Sequence, residues 1–357
     1  MVRGQSATDP GMVLDDNIVC PIDGKPLEVV GDLLISQNGR EYKTSDGIPL
    51  LYVDEKDAKP PSAARAGTED TVTHNVQDFY EDAPFPNYNA HDTLATFVRQ
   101  ADTGVFAKLL RKQIPIKANV LEIGCGTGQL SNFLAATTSA RVYATDMTLA
   151  SLRLGQTFAS KNNIEGIRFI QMNLFAPSIR PRSMDLVIAN GVLHHTHDTK
   201  KAFTSISQCV KPGGFILVGL YNRIGRLRTD FRRALVRVFG QGVLILDPHL
   251  RRKLSPDKRR AWIRDQYFHP QERKHSISEL IKWFDEANFS FVSSIPKIIG
   301  RFSADEDLFK PQDPGTRLDR VMAEVEMLFS HFGGEGGLFL CIGRRKLDSN
   351  ENRDVAA

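Results

Sequence analysis

Apolar residues along this chain follow two different rhythms. From Asn17 to Val53 they come in short runs (LEVV, LLIS, IPLLYV) separated by Gly, Asp and Asn, the pattern of a compact β-rich segment with tight turns. Residues 54–74 then open with DEKDAKPPSAARAGTED, polar and rich in Pro and Ala, without apolar periodicity, and read as a linker. From Ile116 the rhythm changes. Strand-like runs alternate with helical patterns: NVLEIG and a helix through Leu130 to Ala136, RVYATD and a helix near Leu149 to Ser160, then IRFIQMN. MDLVIAN, a helix near Lys200 to Val210 and GFILVGL follow, and FSFVSSIPK and GGLFLCIGRR supply two last strands. Apolar strands alternating with helices predict an α/β fold whose largely parallel sheet is covered on both faces.

Length permits this sheet plus a small accessory unit, since 357 residues exceed what one modest core requires. The N-terminus MVRGQSATDPGMV has no apolar core of a signal sequence, and no apolar run approaches the roughly 18 residues of a membrane span, so a cytoplasmic location is expected. Cys20, Cys125, Cys209 and Cys341 stand far apart with no CxxC among them, which argues against a disulfide framework and an intact zinc cluster. Net charge is +4, but residues 223–275 hold fifteen Lys or Arg against five acids, a local +10.

The first strand of the alternating region runs into LEIGCGTGQL, a glycine-rich turn that opens a helix. In a doubly wound sheet, ligands bind in the crevice at the carboxyl ends of the strands. A dinucleotide fingerprint needs a third glycine where Gln129 stands, and Glu122 just before the loop would repel a pyrophosphate while suiting an ammonium group. One strand later RVYATD ends in Asp146, placed to accept hydrogen bonds from ribose hydroxyls.

VLEIGCGTG, ATDMT, MNLF, MDLVIANGVLHHTHD and VKPGGFILVGLYN, in that order, resemble the motif series of class I S-adenosylmethionine-dependent methyltransferases over Ile116 to Leu220. The resemblance implies a Rossmann-like seven-stranded sheet, its last strand antiparallel, within a domain spanning 75–345, and S-adenosylmethionine as cofactor. Carried over by position, Glu122, Gly124 and Gly126 would bind the amino acid end of the donor, with Cys125 between them as a small loop residue. Asp146 would hold the ribose and Met147 lie against adenine. Asn173 and Leu174 would edge the adenine, and Asn190 and Gly191 would close the near side of the methionine. Asn173 stands where the family often has Asp. NVQDFYEDAPFPNYN resembles an element that precedes the sheet in some bacterial members and folds over the cofactor, which puts Tyr80 and Tyr88 near the site. CPIDGKPLEVVGDLLISQNGREYKTSDGIPLLY, within residues 17–53, resembles a zinc ribbon of which only Cys20 survives. Asp23, Ile35 and Asn38 fill the other ligand slots, and no metal is expected.

Methyl transfer is an in-line displacement that needs a base only if the nucleophile must lose a proton. Candidates at the ends of the fourth and fifth strands are His194, His195 and Tyr221. Residues 223–275 are expected to form a basic helical lid. In it Ile224, Leu227, Phe231, Leu235 and Val238 make an apolar stripe facing inward, and Trp262, Tyr267, His269 and His275 wall a pocket. Ser276 and Glu279 form a capping-box pattern for the next helix. Residues 1–16 and 346–357 are expected to be tails. The expected acceptor is a small biosynthetic molecule. An RNA held by the basic segment, and a non-catalytic scaffold protein that keeps the cofactor pocket, are the alternatives.

Overall fold

The computed structural model describes residues 14–58, 66–81, 84, 88, 93–251, 256–329 and 336–348. Strands β1 (Leu27–Val30), β2 (Leu33–Ser36), β3 (Glu41–Ser45) and β4 (Ile48–Leu51) pair antiparallel in succession. Helices α1 (Glu55–Ala58), α2 (Ala66–Glu81), α3 (Leu94–Asp102) and α4 (Val105–Gln113) follow. The alternating region then runs β5 (Asn119–Ile123), α5 (Gln129–Thr137), β6 (Arg141–Asp146), α6 (Leu149–Lys161), β7 (Ile167–Met172), β8 (Met184–Asn190), α7 (Thr199–Ser207) and β9 (Val210–Tyr221). After α8 (Leu227–Phe239), α9 (Pro256–Phe268) and α10 (Ile277–Glu286) come β10 (Phe289–Ile295), α11 (Arg317–Glu326) and β11 (Leu338–Arg345).

All strands join one sheet in the order β1-β2-β3-β4-β7-β6-β5-β8-β9-β11-β10. Seven strands were expected and eleven are present. The surplus is the N-terminal segment, because Leu50 and Leu51 of β4 lie parallel to Gln171 and Met172 of β7 and carry the sheet onward. From β7 to β9 the pairing is parallel, while β11 runs antiparallel to β9 and β10 antiparallel to β11. Alternate residues of each buried strand feed two cores. Leu121, Val187 and Ile216 pack on one face, whereas Val120, Leu186 and Leu217 pack on the other. Leu34, Tyr42 and Leu51 belong to the first of these cores, so residues 17–53 share their apolar interior with the main sheet.

Residues in the zinc-ribbon slots meet each other directly. Asn38 donates to Asp23 over 2.6 Å, and the Cys20 thiol lies 3.1 Å from the Tyr42 hydroxyl. The resembled PFPNY stretch lies mostly outside the described residues, apart from Pro84 and Tyr88.

Residues 223–275 leave and rejoin the sheet side by side: His275 N donates to the Tyr221 carbonyl at 2.8 Å, and Arg223 N to the His275 carbonyl at 3.1 Å. Between those points Val236, Leu244, Leu250, Trp262 and Tyr267 form a small core of their own. Helix α8 reverses the expected orientation. Leu227, Phe231 and Val238 face outward, while Arg226 is fully buried and Arg232 and Arg233 are largely covered. Ion pairing explains the reversal: Glu272 receives Arg226 at 2.7 Å and Arg233 at 2.6 Å, and Asp247 receives Arg232 at 3.4 Å. The predicted capping box of Ser276 and Glu279 starts α10.

Candidate active site

A cavity of about 380 Å³ opens at the carboxyl ends of β5, β6 and β8, where the winding of the sheet changes direction. Gly124, Cys125 and Gly126 of the 124–128 loop line it. Gly124, Gly126 and Gly128 all have positive φ, at 62°, 54° and 70°. At Gly124 a Cβ would also fall 2.6 Å from the Val192 methyls, so the close approach of loop and β8 turn requires glycine there. Asp146, at the tip of β6, ties this loop to its own strand. Its Oδ2 accepts the Gly126 N–H at 2.8 Å, and its Oδ1 accepts from the Thr148 N–H at 2.9 Å and hydroxyl at 2.7 Å. Burial raises its pKa, and those three donors oppose the rise. Oδ2 keeps one lone pair for a ligand.

Glu122 is buried at the end of β5 and accepts a hydrogen bond from the Ser131 hydroxyl. Burial pushes its carboxyl up to about 7, against the pull of that bond. Asn190 also lines the cavity, but its Oδ1 is buried against Gly219 of β9, so closely that a Cβ there would collide with it, and it has no hydrogen-bond partner among the described residues. Once ionised, the Glu122 carboxylate would suit an ammonium group. Cys125 lines the same wall, its thiol raised well above the ordinary range by burial, while its N–H bonds the Thr145 carbonyl at 2.9 Å. Gly191 and Leu174 also line the cavity, as does Met147, whose carbonyl accepts from Gln77 at 3.1 Å and Gln171 at 3.0 Å. Asn173 borders the cavity with its amide already engaged, donating to the Val53 carbonyl at 2.9 Å and accepting from Phe175 N at 3.0 Å.

The two tyrosines of the preceding segment part ways. Tyr80, on α2, lines the cavity and donates to Asp265 Oδ1 at 2.8 Å. Tyr88 turns away, stacks on Phe158 at 4.2 Å and donates to the Thr127 carbonyl at 2.9 Å behind the glycine loop. It therefore lies near the site, as expected, but braces the glycine loop from outside the cavity. Glu81, which sequence reasoning passed over, accepts the Leu149 and Ala150 N–H groups at 2.8 and 3.2 Å and so caps α6.

On the acceptor side His195 and Tyr221 line the cavity, and His194 does not. His194 follows the 3-10 turn at Leu193–His195 into the interior, fully buried against the Tyr221 ring at 4.0 Å, and among the described residues neither ring nitrogen has a hydrogen-bond partner. Burial drives its pKa well below 6.5. The expectation of a catalytic role for it meets a ring with no access to the cavity. His195 Nδ1 sits 2.7 Å from the Gln271 carbonyl, which fixes the proton on Nδ1 and leaves the lone pair on Nε2. Its pKa is lowered by burial, so the ring is neutral at pH 7. Tyr221 accepts from Gln266 at 2.8 Å and carries the Arg226 guanidinium 3.7 Å over its ring.

Trp262 lines the cavity as expected, but Tyr267 turns to Asp247 at 2.9 Å and His275 to Thr199 at 3.1 Å. Asp265, in the last turn of α9, is a cavity residue that the sequence reading missed, and His269 is the first residue beyond that helix. His195, Asp265 and His269 bring ligand-type atoms within 4.8 Å of one another. Gln271 N donates to His269 Nδ1 at 3.1 Å, which leaves the His269 proton on Nε2 and makes that nitrogen a donor rather than a metal ligand.

Residues 121–218 match a family described as "Methyltransferase domain". Over this segment the chain is similar to methyltransferase domains. An uncharacterized protein of a Synechococcus strain is 26% identical over 265 residues, covering 64% of this chain and 61% of that protein. An uncharacterized methyltransferase of Mycobacterium bovis is 33% identical over 112 residues, 31% of this chain and 54% of that protein. The chain thus spans between half and two thirds of the length of these two relatives. Among solved structures, the magnesium protoporphyrin IX methyltransferase of Synechocystis, with bound S-adenosylhomocysteine, aligns at a TM-score of 0.43 and 14% identity, over 78% of this chain and 95% of that one.

Proposed function

We propose that the full chain is an S-adenosylmethionine-dependent methyltransferase acting on a small biosynthetic molecule. One juxtaposition carries the reading: the Glu122 carboxyl, raised toward neutrality, and the spare lone pair of Asp146 meet at one cavity over the glycine loop. Glu122, Asn190 and the 124–126 loop would hold the amino acid end, Asp146 the ribose, and Met147 and Leu174 the adenine. Bound S-adenosylmethionine supplies an electrophilic methyl carbon on a sulfonium.

The chain's own residues orient the acceptor and take its proton. Tyr80, Tyr221 and Trp262 wall the far end of the cavity and exclude water there. His195 Nε2, with its lone pair fixed by the Gln271 carbonyl, receives the proton of an acceptor O–H or N–H. Asp265 favours the charged form of that ring. The RNA alternative is weakened because Arg226, Arg232, Arg233 and Lys274 are already paired with Glu272, Asp247 and Asp230.

Incubating the protein with cell extract and donor labelled in its methyl group tests this reading. Label in one small molecule supports it, and label confined to RNA or protein overturns it.

A further inference from the structure

Helix α8 presents an apolar face to solvent. Leu227 is 53% exposed, Phe231 65% and Val238 73%, and beyond the helix end Phe239 and Ile245 are each 70% exposed. At about 100° per residue, Leu227, Phe231, Ala234 and Val238 fall within one narrow sector. Arg228 lies on one flank of this sector and Arg237 on the other, both exposed, and among the described residues neither forms an ion pair. Further exposed arginines, Arg251, Arg259 and Arg260, stand along the same segment. The acids with described side chains in residues 223–275 are all engaged elsewhere: Asp230 by Lys274, Asp247 by Arg232, Asp265 by Tyr80 and Glu272 by Arg226 and Arg233.

We propose that this face docks on an anionic lipid bilayer, with the phenylalanines and aliphatic side chains entering the headgroup region and the flanking arginines meeting lipid phosphates. The burial pattern is the reverse of a helix that serves a protein core, where the apolar stripe turns inward. A convex helix with an apolar sector between cationic borders is the form of an interfacial helix. A second copy of this chain would bring like charges together, since the face holds unpaired cations and no unpaired described acid. Trp262 belongs both to the small core beneath α8 and to the cavity wall, so docking would set the acceptor end of the cavity close to the membrane surface.

Vesicle flotation of the full chain decides the matter, with vesicles of phosphatidylcholine alone and of phosphatidylcholine mixed with phosphatidylglycerol. The protein is expected to float with the anionic vesicles and not with the neutral ones, and to be released in part by about 0.5 M salt. The double variant Phe231→Asp, Val238→Asp should lose about tenfold in partitioning, and Arg228→Glu with Arg237→Glu a similar amount. Both variants alter exposed positions, and unchanged thermal melts would show them folded. Equal flotation of wild type with neutral and anionic vesicles, or no flotation, overturns the proposal. So does a wild-type dimer in solution that Phe231→Asp dissociates, which would make the face an interface between copies. Donor binding is read separately by calorimetry, so failure here leaves the proposed activity untouched.

Discussion

The Tyr80 hydroxyl donates to Asp265 Oδ1 over 2.8 Å and joins α2, between β4 and β5, to α9, 185 residues later, across the rim of the cavity. Both residues line that cavity, so this bond helps close it. Tyr80→Phe keeps the ring but leaves Asp265 with Gln266 as its remaining donor. We expect a stability loss of about 2 kcal/mol, read by chemical denaturation, together with weaker donor binding. Unchanged donor affinity would show that the contact is only a brace.

The proposed donor-binding role of Glu122 predicts pH-dependent affinity. The folded pKa of Glu122, about 7, lies above the ordinary 4.5, so its contribution to the stability of the ligand-free protein is fully present below pH 4.5 and is lost as pH rises through about 7. An ammonium group needs the ionised carboxylate. Donor affinity should therefore rise about tenfold per pH unit up to about 7 and then level off. Calorimetry between pH 5.5 and 8 reads the slope, and Glu122→Gln should flatten it.

The proposed role of His195 as base can be separated from donor binding. His195→Gln should bind S-adenosylmethionine with near-normal affinity and lower label transfer in extracts by about 10²-fold or more. Parallel loss of both would place His195 in donor binding instead.

Buried Arg226 holds together the segment between β9 and α10. Its guanidinium donates to Glu272 at 3.1 and 2.7 Å, to Gln266 at 2.6 Å and to the Gly336 carbonyl at 3.1 Å. Arg226→Met should cost about 3–5 kcal/mol, and adding Glu272→Gln should restore part of it. Glu272 is held down to about 2 by the two arginines beside it. Because that value lies below the ordinary 4.5, its stabilisation is present above pH 4.5 and disappears as pH falls toward 2. Denaturant unfolding across that window should show this loss in wild type and a smaller one in Glu272→Gln.

Much of this architecture is legible in the chain because period and punctuation are local signals. The strands β5 to β9, the glycine turn and the placement of Glu122 and Asp146 all follow from runs of a few residues. Partners distant in sequence were not legible. The apolar stripe of α8 predicted an inward face, yet Glu272 and Asp247 draw the arginines inward and turn the stripe out. Tyr80 and Tyr88 looked alike, and which one reached the cavity depended on Asp265, far along the chain, and on Phe158. The extension to eleven strands came from β4 finding the edge of β7, an encounter that no pattern in either strand announces.

Calorimetric titration with S-adenosylmethionine tests the central claim most directly. We predict saturable binding at one site per chain, weakened at least about tenfold by Asp146→Ala in a variant shown to be folded. Absence of binding by the wild-type protein, or undiminished binding by Asp146→Ala, would contradict the account.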